Sequence, residues 1–170
     1  VALLLINTMG ILEIMYYFFV GRTKKVVVGG TFDLLHIGHK TLLDKALSYG
    51  EVSLGLTSAK MAEQTKGRMV ENYEERRKNI ENYCEEKKKK IIVREIDDKF
   101  GFALDEDFDY IVVTPETHPN ATLINNERKK KGRKEIQIIE IDLIKAEDDK
   151  PISSTRIYDG KIDREERVIK

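Results

Sequence analysis

Two histidines, His36 and His39, lie three residues apart just after a glycine-rich run that begins at Gly29. Residues three apart share one face of a helix, so both imidazoles can approach a single ligand. The run follows an apolar, β-branched stretch at residues 26–28 and opens an amphipathic helical pattern. At such a junction the glycines permit close approach of the backbone, and the first helical turn offers unpaired N–H groups to an anion. The sequence therefore predicts a phosphate site suited to a nucleoside triphosphate.

A second pattern with affinity for anions lies near the other end of the chain and comprises Ser153, Ser154, Thr155 and Arg156. Hydroxyl and backbone N–H groups at a helix start bind anions, and a guanidinium close by adds a planar pair of donors. Taken alone, such a run also suits an ordinary capped helix. Together with the two histidines, it predicts the opposite side of one triphosphate site.

Short β-branched runs alternate with longer helical patterns from residue 24 onward, which is typical of a parallel sheet covered by helices. The predicted strands are 26–28, 51–56, 91–96, 110–113 and 136–141, and the predicted helices are 38–49, 73–90, 153–158 and 164–169. We expect one α/β domain over residues 23–170. Its fold class is a Rossmann-like, doubly wound parallel sheet of about five strands with helices on both faces.

The segments that follow these strands carry most of the polar and glycine residues singled out above. They are 29–39, 57–60, 97–107, 114–117 and, later in the chain, 151–156. Ligands of open α/β sheets bind beyond the carboxyl ends of the strands. We therefore expect these segments to meet on one rim.

Composition excludes strong global attraction to nucleic acid or to an anionic membrane, since 30 Lys and Arg balance 30 Asp and Glu. Any affinity for phosphate must therefore be local. The single cysteine, Cys84, cannot form an internal disulfide, which suits a reducing cytoplasm. Because it falls within a helical pattern, we expect it to be a small buried packing residue. The oligomeric state is left open by the sequence.

The first 22 residues form an apolar extension of a different character. Residues 1–20 are interrupted only by Asn7, Thr8, Gly10 and Glu13. Three interpretations remain: a gene start placed too early, an extra packed element or interface, and a membrane anchor. A central Glu13 would cost about 2.5–3.5 kcal/mol on insertion, which makes the anchor the least favoured.

Residues 31–33, Thr-Phe-Asp, followed by His36-Ile37-Gly38-His39, resemble the signature of the nucleotidylyltransferase superfamily, which shares its His-x-Gly-His element with class I aminoacyl-tRNA synthetases. Residues 152–156 are similar to the Ile-Ser-Ser-Thr element that closes the triphosphate site in that superfamily. A synthetase would also need a Lys-Met-Ser-Lys-Ser loop and an anticodon-binding region, and the sequence has neither.

Further segments are similar to the archaeal and eukaryotic type of phosphopantetheine adenylyltransferase, and the likeness extends over about residues 24–169. They are 73–77 (Tyr-Glu-Glu-Arg-Arg), 97–101, 111–117 with the residues up to 128, 146–148 and 160–163. This resemblance implies transfer of AMP from ATP to 4'-phosphopantetheine, which gives dephospho-coenzyme A and pyrophosphate. It also implies Mg²⁺ bound through the ATP phosphates rather than by protein ligands.

The resemblance further implies roles for particular residues. His39 would contact the α-phosphate and His36 the neighbouring phosphates, while Thr31 and the Phe32 amide, after Gly30, would align nucleophile and α-phosphate. The β- and γ-phosphates would fall to Ser153, Ser154, Thr155 and Arg156. Lys60 or Lys66 would neutralise the acceptor phosphate, and the pocket would be lined by Glu116, Asn125 and Arg128. Residues 115–117, Pro-Glu-Thr, replace an Arg-Gly-x-Arg segment of bacterial enzymes, so which residue reads adenine stays open.

Two alternatives differ in the acceptor or in activity. Related enzymes transfer a nucleotidyl group to FMN, NMN or glycerol phosphate, and their first motifs are similar. A catalytically silent nucleotide-binding module is the other alternative, against which the intact histidines and serines argue. Turnover with different acceptors distinguishes these possibilities.

Overall fold

A five-stranded, wholly parallel sheet forms the centre of the computed structural model, which describes residues 22–163 and 167–169. The strands are β1 (Lys25–Gly30), β2 (Glu51–Thr57), β3 (Ile91–Ile96), β4 (Tyr110–Val113) and β5 (Gln137–Glu140). Their order across the sheet is β3-β2-β1-β4-β5. The predicted Rossmann-like architecture is therefore confirmed, with strand bounds close to those expected.

The described part of the chain contains five α-helices, of which the last follows β5. They are α1 (Ile37–Tyr49), α2 (Ala59–Lys66), α3 (Tyr73–Glu86), α4 (His118–Lys130) and α5 (Ser154–Tyr158), and a short 3₁₀ turn covers Gly101–Leu104. α3 ends earlier than the predicted 73–90, because Lys88 adopts a left-handed backbone with φ of 56°. The predictions omitted α2 and α4. In α4 the apolar stripe is hidden, since two of its buried positions are the polar Asn125 and Arg128.

Successive apolar side chains of a strand point to opposite faces of the sheet, and they form a core on each face. On one face Val26, Val28 and Val112 pack with residues of α1 and α3. On the other face Val27, Ile111 and Val113 pack with α4 and the 3₁₀ turn. This is the doubly wound arrangement that the sequence predicts, because neighbouring residues of one strand point to opposite faces.

Backbone pairing is unequal along the sheet. β1 and β2 run in register from Lys25 opposite Glu51 to Gly30 opposite Leu56. β1 and β4, in contrast, pair at only two positions, Val26 with Tyr110 and Val27 with Ile111. Beyond that short pairing the two strands diverge, which opens a cleft at their carboxyl ends.

Two predicted segments fall wholly or partly outside the described residues. Residues 1–21, nearly the whole apolar extension, lie outside, as do residues 164–166 of the predicted helix 164–169. That helix is wrong for residues 167–169, because Val168 forms an antiparallel bridge with Ile162. Within the described ranges, no helix is both long and apolar enough to cross a bilayer.

Cys84 is a packing residue, as predicted. It lies fully buried in the core between the sheet, α1 and α3. The pKa of its thiol is raised to about 11, mainly by burial and also by the nearby Asp44 carboxylate. The thiol is therefore protonated at neutral pH and unsuited to nucleophilic chemistry.

Candidate functional site

A cavity of about 560 Å³ occupies the cleft beyond the carboxyl ends of the strands. Its wall includes Gly29–Phe32 at the end of β1, Thr57 at the end of β2 with Met61 beyond it, Lys99–Ala103 after β3, Thr114 with Glu116–Thr117 after β4, Asp142–Ile144 after β5, and Ile152–Ser154. The predicted convergence of these segments on one rim is what the structure shows. His39 and Ser154, which are far apart in sequence, line this same cavity.

His36 and His39 begin α1 and cap its N-terminus with their ring nitrogens. The Gly38 N–H donates to Nδ1 of His36 at 3.1 Å, and the His36 N–H donates to Nδ1 of His39 at 3.5 Å. Because each Nδ1 accepts a hydrogen bond, each neutral ring must carry its proton on Nε2. The pair can therefore offer two Nε2–H donors to a ligand in the cavity.

Both imidazoles are held neutral by their surroundings. The pKa of His36 is lowered to about 4, mainly by burial and also by the Lys66 ammonium, while Asp33 opposes this effect. Burial also lowers the pKa of His39 well below 6.5, followed by the electrostatic effects of His36 and Lys66. A phosphate chain beside these groups would place negative charge next to the two rings and Lys66, and this charge would oppose the lowering of both pKa values.

The glycines of the first motif make room for its aromatic and imidazole side chains. A Cβ on Gly30 would lie 2.9 Å from the Phe32 ring, and one on Gly38 would lie 3.1 Å from the His36 ring. The first distance is too short for a methyl group, and the second would require the His36 ring to shift by a few tenths of an ångström. The motif thus needs glycine for internal packing as well as for access to a ligand.

Phe32 and Leu34 adopt left-handed backbone conformations, each with φ of 50°. Such conformations are strained for residues with side chains and persist only when neighbours fix them. The fixing contacts come from Asp33 and Glu71: the Glu71 N–H donates to Asp33 Oδ1 at 2.9 Å, and the Leu34 N–H donates to Glu71 Oε2 at 3.1 Å. The strained loop is therefore held by the segment that precedes α3.

Arg76, on α3, is fully buried and joins three segments below the cavity. Its Nη1 donates to the Thr31 carbonyl at 2.8 Å, its Nη2 to the Thr57 carbonyl at 2.9 Å, and its Nε to the Glu71 carbonyl at 2.8 Å. The Thr57 hydroxyl in turn donates to the Thr31 hydroxyl at 3.3 Å. Arg76 thus positions Thr31, a predicted site residue that lines the cavity.

Half of the predicted second motif reaches the cavity. Ser153 and Ser154 line it, and Ser153 caps α5 by accepting the Arg156 N–H at 3.3 Å. Thr155 is exposed and lies outside the lining. Arg156 also lies outside it, since its guanidinium donates to the Pro151 carbonyl at 3.0 Å and pairs with Asp148 at 2.6 Å. Contrary to the expectation that Arg156 binds phosphate, its side chain stabilises the loop before α5.

The two candidate lysines differ in placement. Lys66 lines the cavity and lies close enough to His36 and His39 to lower the pKa of each. Lys60 is exposed, and its side chain is not part of the lining. Of the two, Lys66 is the one that can approach a phosphate in the cavity.

Asn125 and Arg128 have structural contacts instead of the predicted place in the pocket wall. Asn125 exchanges two hydrogen bonds of 2.8 Å with the backbone of Ile136. Arg128 donates to the Ala103 and Glu106 carbonyls at 2.8 and 2.7 Å. Both side chains are buried behind the cavity and absent from its lining. Their polar atoms are thus occupied by backbone groups from other segments.

Glu116 lines the cavity as predicted, and several unpredicted residues join it. Asn120 lies on the first turn of α4, and its Nδ2 donates to the Lys99 carbonyl at 2.6 Å. Asp142–Ile144 directly follow β5 and also form part of the wall. Their position after a strand was a signal that could have identified them, whereas nothing in the sequence marks Asn120.

Comparison with known proteins gives a consistent result. The family model described as cytidylyltransferase-like matches residues 27–159. A phosphopantetheine adenylyltransferase of Methanosarcina acetivorans is 46% identical over 146 residues, which cover 82% of this chain and 92% of the relative. One from Archaeoglobus fulgidus is 43% identical over 145 residues, which cover 82% of this chain and 96% of the relative.

Solved structures agree on the architecture. A protein of unknown function from Archaeoglobus fulgidus superposes with a TM-score of 0.66 at 38% identity, over 69% of this chain and 89% of that one. A pantoate-beta-alanine ligase from Francisella tularensis superposes with a TM-score of 0.55 at 14% identity, over 80% of this chain and 65% of that one. At that identity the second likeness concerns the fold alone.

Proposed function

The chain belongs to the cytidylyltransferase-like family, and from this premise we propose that it transfers the adenylyl group of ATP to 4'-phosphopantetheine. The products are dephospho-coenzyme A and pyrophosphate. Archaeal relatives 43–46% identical over most of the chain carry the name phosphopantetheine adenylyltransferase. The observation that carries the proposal is the single cavity shared by His36, His39, Ser153 and Ser154.

In the proposed reaction a phosphate oxygen of the acceptor attacks the α-phosphorus of ATP. A new phosphorus–oxygen bond forms as the bond to the β-phosphate oxygen breaks, and pyrophosphate leaves with that electron pair. The acceptor phosphate is already ionised at neutral pH, so no general base is required. Catalysis then depends on positioning and on stabilisation of charge at the α-phosphate.

The residues lining the cavity suit these tasks. His39 would donate from Nε2 to the α-phosphate and His36 to the neighbouring phosphates, since the Nδ1 of each accepts a backbone N–H. Lys66 adds a positive charge beside both rings. Ser153 and Ser154 would contact the outer phosphates from the opposite wall. Thr31 would align the α-phosphate with the incoming oxygen.

The proposal includes Mg²⁺ bound mainly by phosphate oxygens and water. Among residues 22–163 and 167–169, no three His, Cys, Asp or Glu side chains group closely enough to hold a metal ion. Glu116 and Asp142 supply carboxylates to the cavity wall, and one or two carboxylates together with substrate phosphates are a common set for Mg²⁺. The ion would neutralise charge on the phosphate chain.

The remaining parts of the proposal concern the partners and location of the enzyme. Coenzyme A and dephospho-coenzyme A share the adenylyl and pantetheine parts of the reactants, so both are expected to bind the same cavity. The single cysteine suits a cytoplasmic location.

The decisive experiment measures pyrophosphate release from ATP and Mg²⁺ with a panel of acceptors. We expect turnover with 4'-phosphopantetheine and little with FMN, NMN or glycerol phosphate. A clear preference for another acceptor would replace the proposed substrate but keep the reaction class. ATP binding without pyrophosphate release for every acceptor would instead support a silent nucleotide-binding module.

A further inference from the structure

Arg68 contacts the first motif, at Asp33, and the helix that carries the second motif, at Tyr158, although it belongs to neither motif. It lies in the segment between α2 and α3. Its Nη2 pairs with Oδ2 of Asp33 at 2.7 Å, in the loop between β1 and α1. Its guanidinium carbon lies 4.2 Å from the ring centroid of Tyr158, the last residue of α5. One side chain therefore connects the histidine motif with the helix of the serine motif.

The contact with the first motif is a buried ion pair. The Arg68 and Asp33 side chains are 11% and 1% exposed. The other oxygen of Asp33 accepts the Glu71 N–H at 2.9 Å. The Nη1 of Arg68 also donates to the Met69 carbonyl at 2.8 Å. The ion pair and this hydrogen bond hold the guanidinium where it meets the Tyr158 ring.

The contact with Tyr158, on the helix that carries the second motif, lies near the surface. The Tyr158 side chain is 56% exposed and is not part of the cavity lining. It lies four residues after Ser154, about one helical turn further along α5. Stacking on Arg68 therefore restrains the short helix whose first residues, Ser153 and Ser154, form one wall of the cavity.

We propose that Arg68 and Tyr158 act as a positioning pair that holds α5 against the first motif before ATP binds. The inference rests on the proposed function, because ATP is taken to be the ligand that lies between the two motifs. If α5 is already held in place in the free protein, ATP binding does not have to order it. Without that free-energy cost of ordering, the affinity for ATP is higher. The pair therefore governs ATP affinity without touching ATP.

The test compares ATP binding, measured by calorimetry with Mg²⁺ and no acceptor, in the full-length wild type and three variants. Tyr158→Ala is expected to weaken binding about two- to fivefold, the effect that an exposed cation–π contact supports. Tyr158→Phe keeps the ring and should bind as the wild type does. Met69→Ala changes a side chain that is 76% exposed beside Arg68 and serves as the matched control.

Steady-state kinetics provide a readout that a general loss of stability would not produce. Tyr158→Ala should raise the KM for ATP by the same factor and leave the KM for phosphopantetheine unchanged. Arg68→Lys retains a charge for Asp33 but loses the planar guanidinium, so combining it with Tyr158→Ala should weaken ATP binding no more than the larger single effect. Arg68→Lys is used instead of Arg68→Ala, because Arg68→Ala would leave the Asp33 carboxylate buried and unpaired.

Three results would overturn the inference: wild-type ATP affinity in Tyr158→Ala, an equal rise of both KM values, or fully additive effects in the double variant. The proposed function is tested separately by turnover of the wild type with phosphopantetheine. Because ATP binding is measured without an acceptor, failure of the positioning pair is distinguishable from failure of the proposed reaction.

Discussion

The imidazole rings of His36 and His39 stack with their centroids 3.8 Å apart and their planes inclined by 24°. Two neutral rings tolerate this arrangement, whereas two imidazolium cations would repel each other. The stacking therefore agrees with the lowered pKa of each ring. It places two N–H donors side by side, as contact with adjacent phosphates requires.

His39→Ala should reduce turnover by roughly a hundredfold or more, the cost of removing one donor to a transition-state oxyanion. The measurement is pyrophosphate release at saturating ATP and acceptor, with circular dichroism to confirm the fold. His118→Ala is the matched control, because His118 pairs with Glu140 and lies outside the cavity lining. Near-wild-type turnover of His39→Ala would contradict the role given to this residue.

The free energy of unfolding should fall between pH 6.5 and pH 4 because of His36. The pKa of this residue is about 4 in the folded protein and 6.5 in an unfolded chain. The unfolded chain therefore binds more protons over that range, and acid favours it. The loss due to His36 is at most about 3 kcal/mol between pH 7 and pH 4.

Urea denaturation of the wild type and His36→Asn at several pH values measures this loss. Asn can cap α1 as His36 does but does not titrate. The wild type should therefore lose more stability than the variant as the pH falls. Parallel pH curves for the two proteins would mean that His36 is not held neutral by the fold.

Lys66→Ala should lower the catalytic efficiency roughly tenfold or more, since a hydrogen bond to a charged group contributes about 1.5–3 kcal/mol. It should also raise the pKa of His36, which Lys66 lowers, and NMR titration of the ring protons would detect that change. Lys60→Ala is the control because Lys60 is exposed and outside the lining. Equal effects of the two substitutions would remove the distinction drawn between these lysines.

Arg76→Met should destabilise the fold by about 3–5 kcal/mol, because three carbonyl groups lose a buried charged donor. Arg77→Ala, at the neighbouring half-buried position, should leave stability nearly unchanged, since Arg77 pairs with Glu81 one turn away near the surface. Urea denaturation measures both. Similar stabilities of the two variants would show that the Arg76 contacts do not hold the cavity floor.

Asn125→Ala should cost about 2–4 kcal/mol of folding free energy, because it leaves the N–H and C=O of Ile136 without partners. Both KM values should stay unchanged in the protein that remains folded. Asn126→Ala, at an exposed position on the same helix, is the control. If Asn125→Ala selectively raised the KM for the acceptor, Asn125 would belong to the acceptor-binding site.

Much of the fold could be predicted because its signals are local. The β-branched runs mark the five strands, and the glycine-histidine run marks the turn from β1 into α1. The rule that ligands bind beyond the carboxyl ends of parallel strands then placed the cavity. The same rule applies to Asp142–Ile144, which line the cavity directly after β5.

The roles of the buried polar residues could not be predicted in this way. Asn125 and Arg128 look like ligand-binding side chains in sequence, but they bond backbone groups that only the folded chain brings near. Arg156 looks the same, but it bonds the Pro151 carbonyl and the Asp148 carboxylate of its own loop. Arg76 shows the same effect, since it contacts Thr31, which lies 45 residues away in sequence. A side chain's chemistry identifies what it can bond, whereas the tertiary fold decides what it does bond.

The two-position pairing between β1 and β4 gives the cleft a further property. The histidines belong to the half of the sheet that contains β1, β2 and β3, and Glu116 follows β4 in the other half. A nucleotide lying between them would act as a bridge where the backbone ladder is shortest. The bound reactant would then also stabilise the two halves of the sheet against each other, and this cross-link would be lost when the nucleotide leaves.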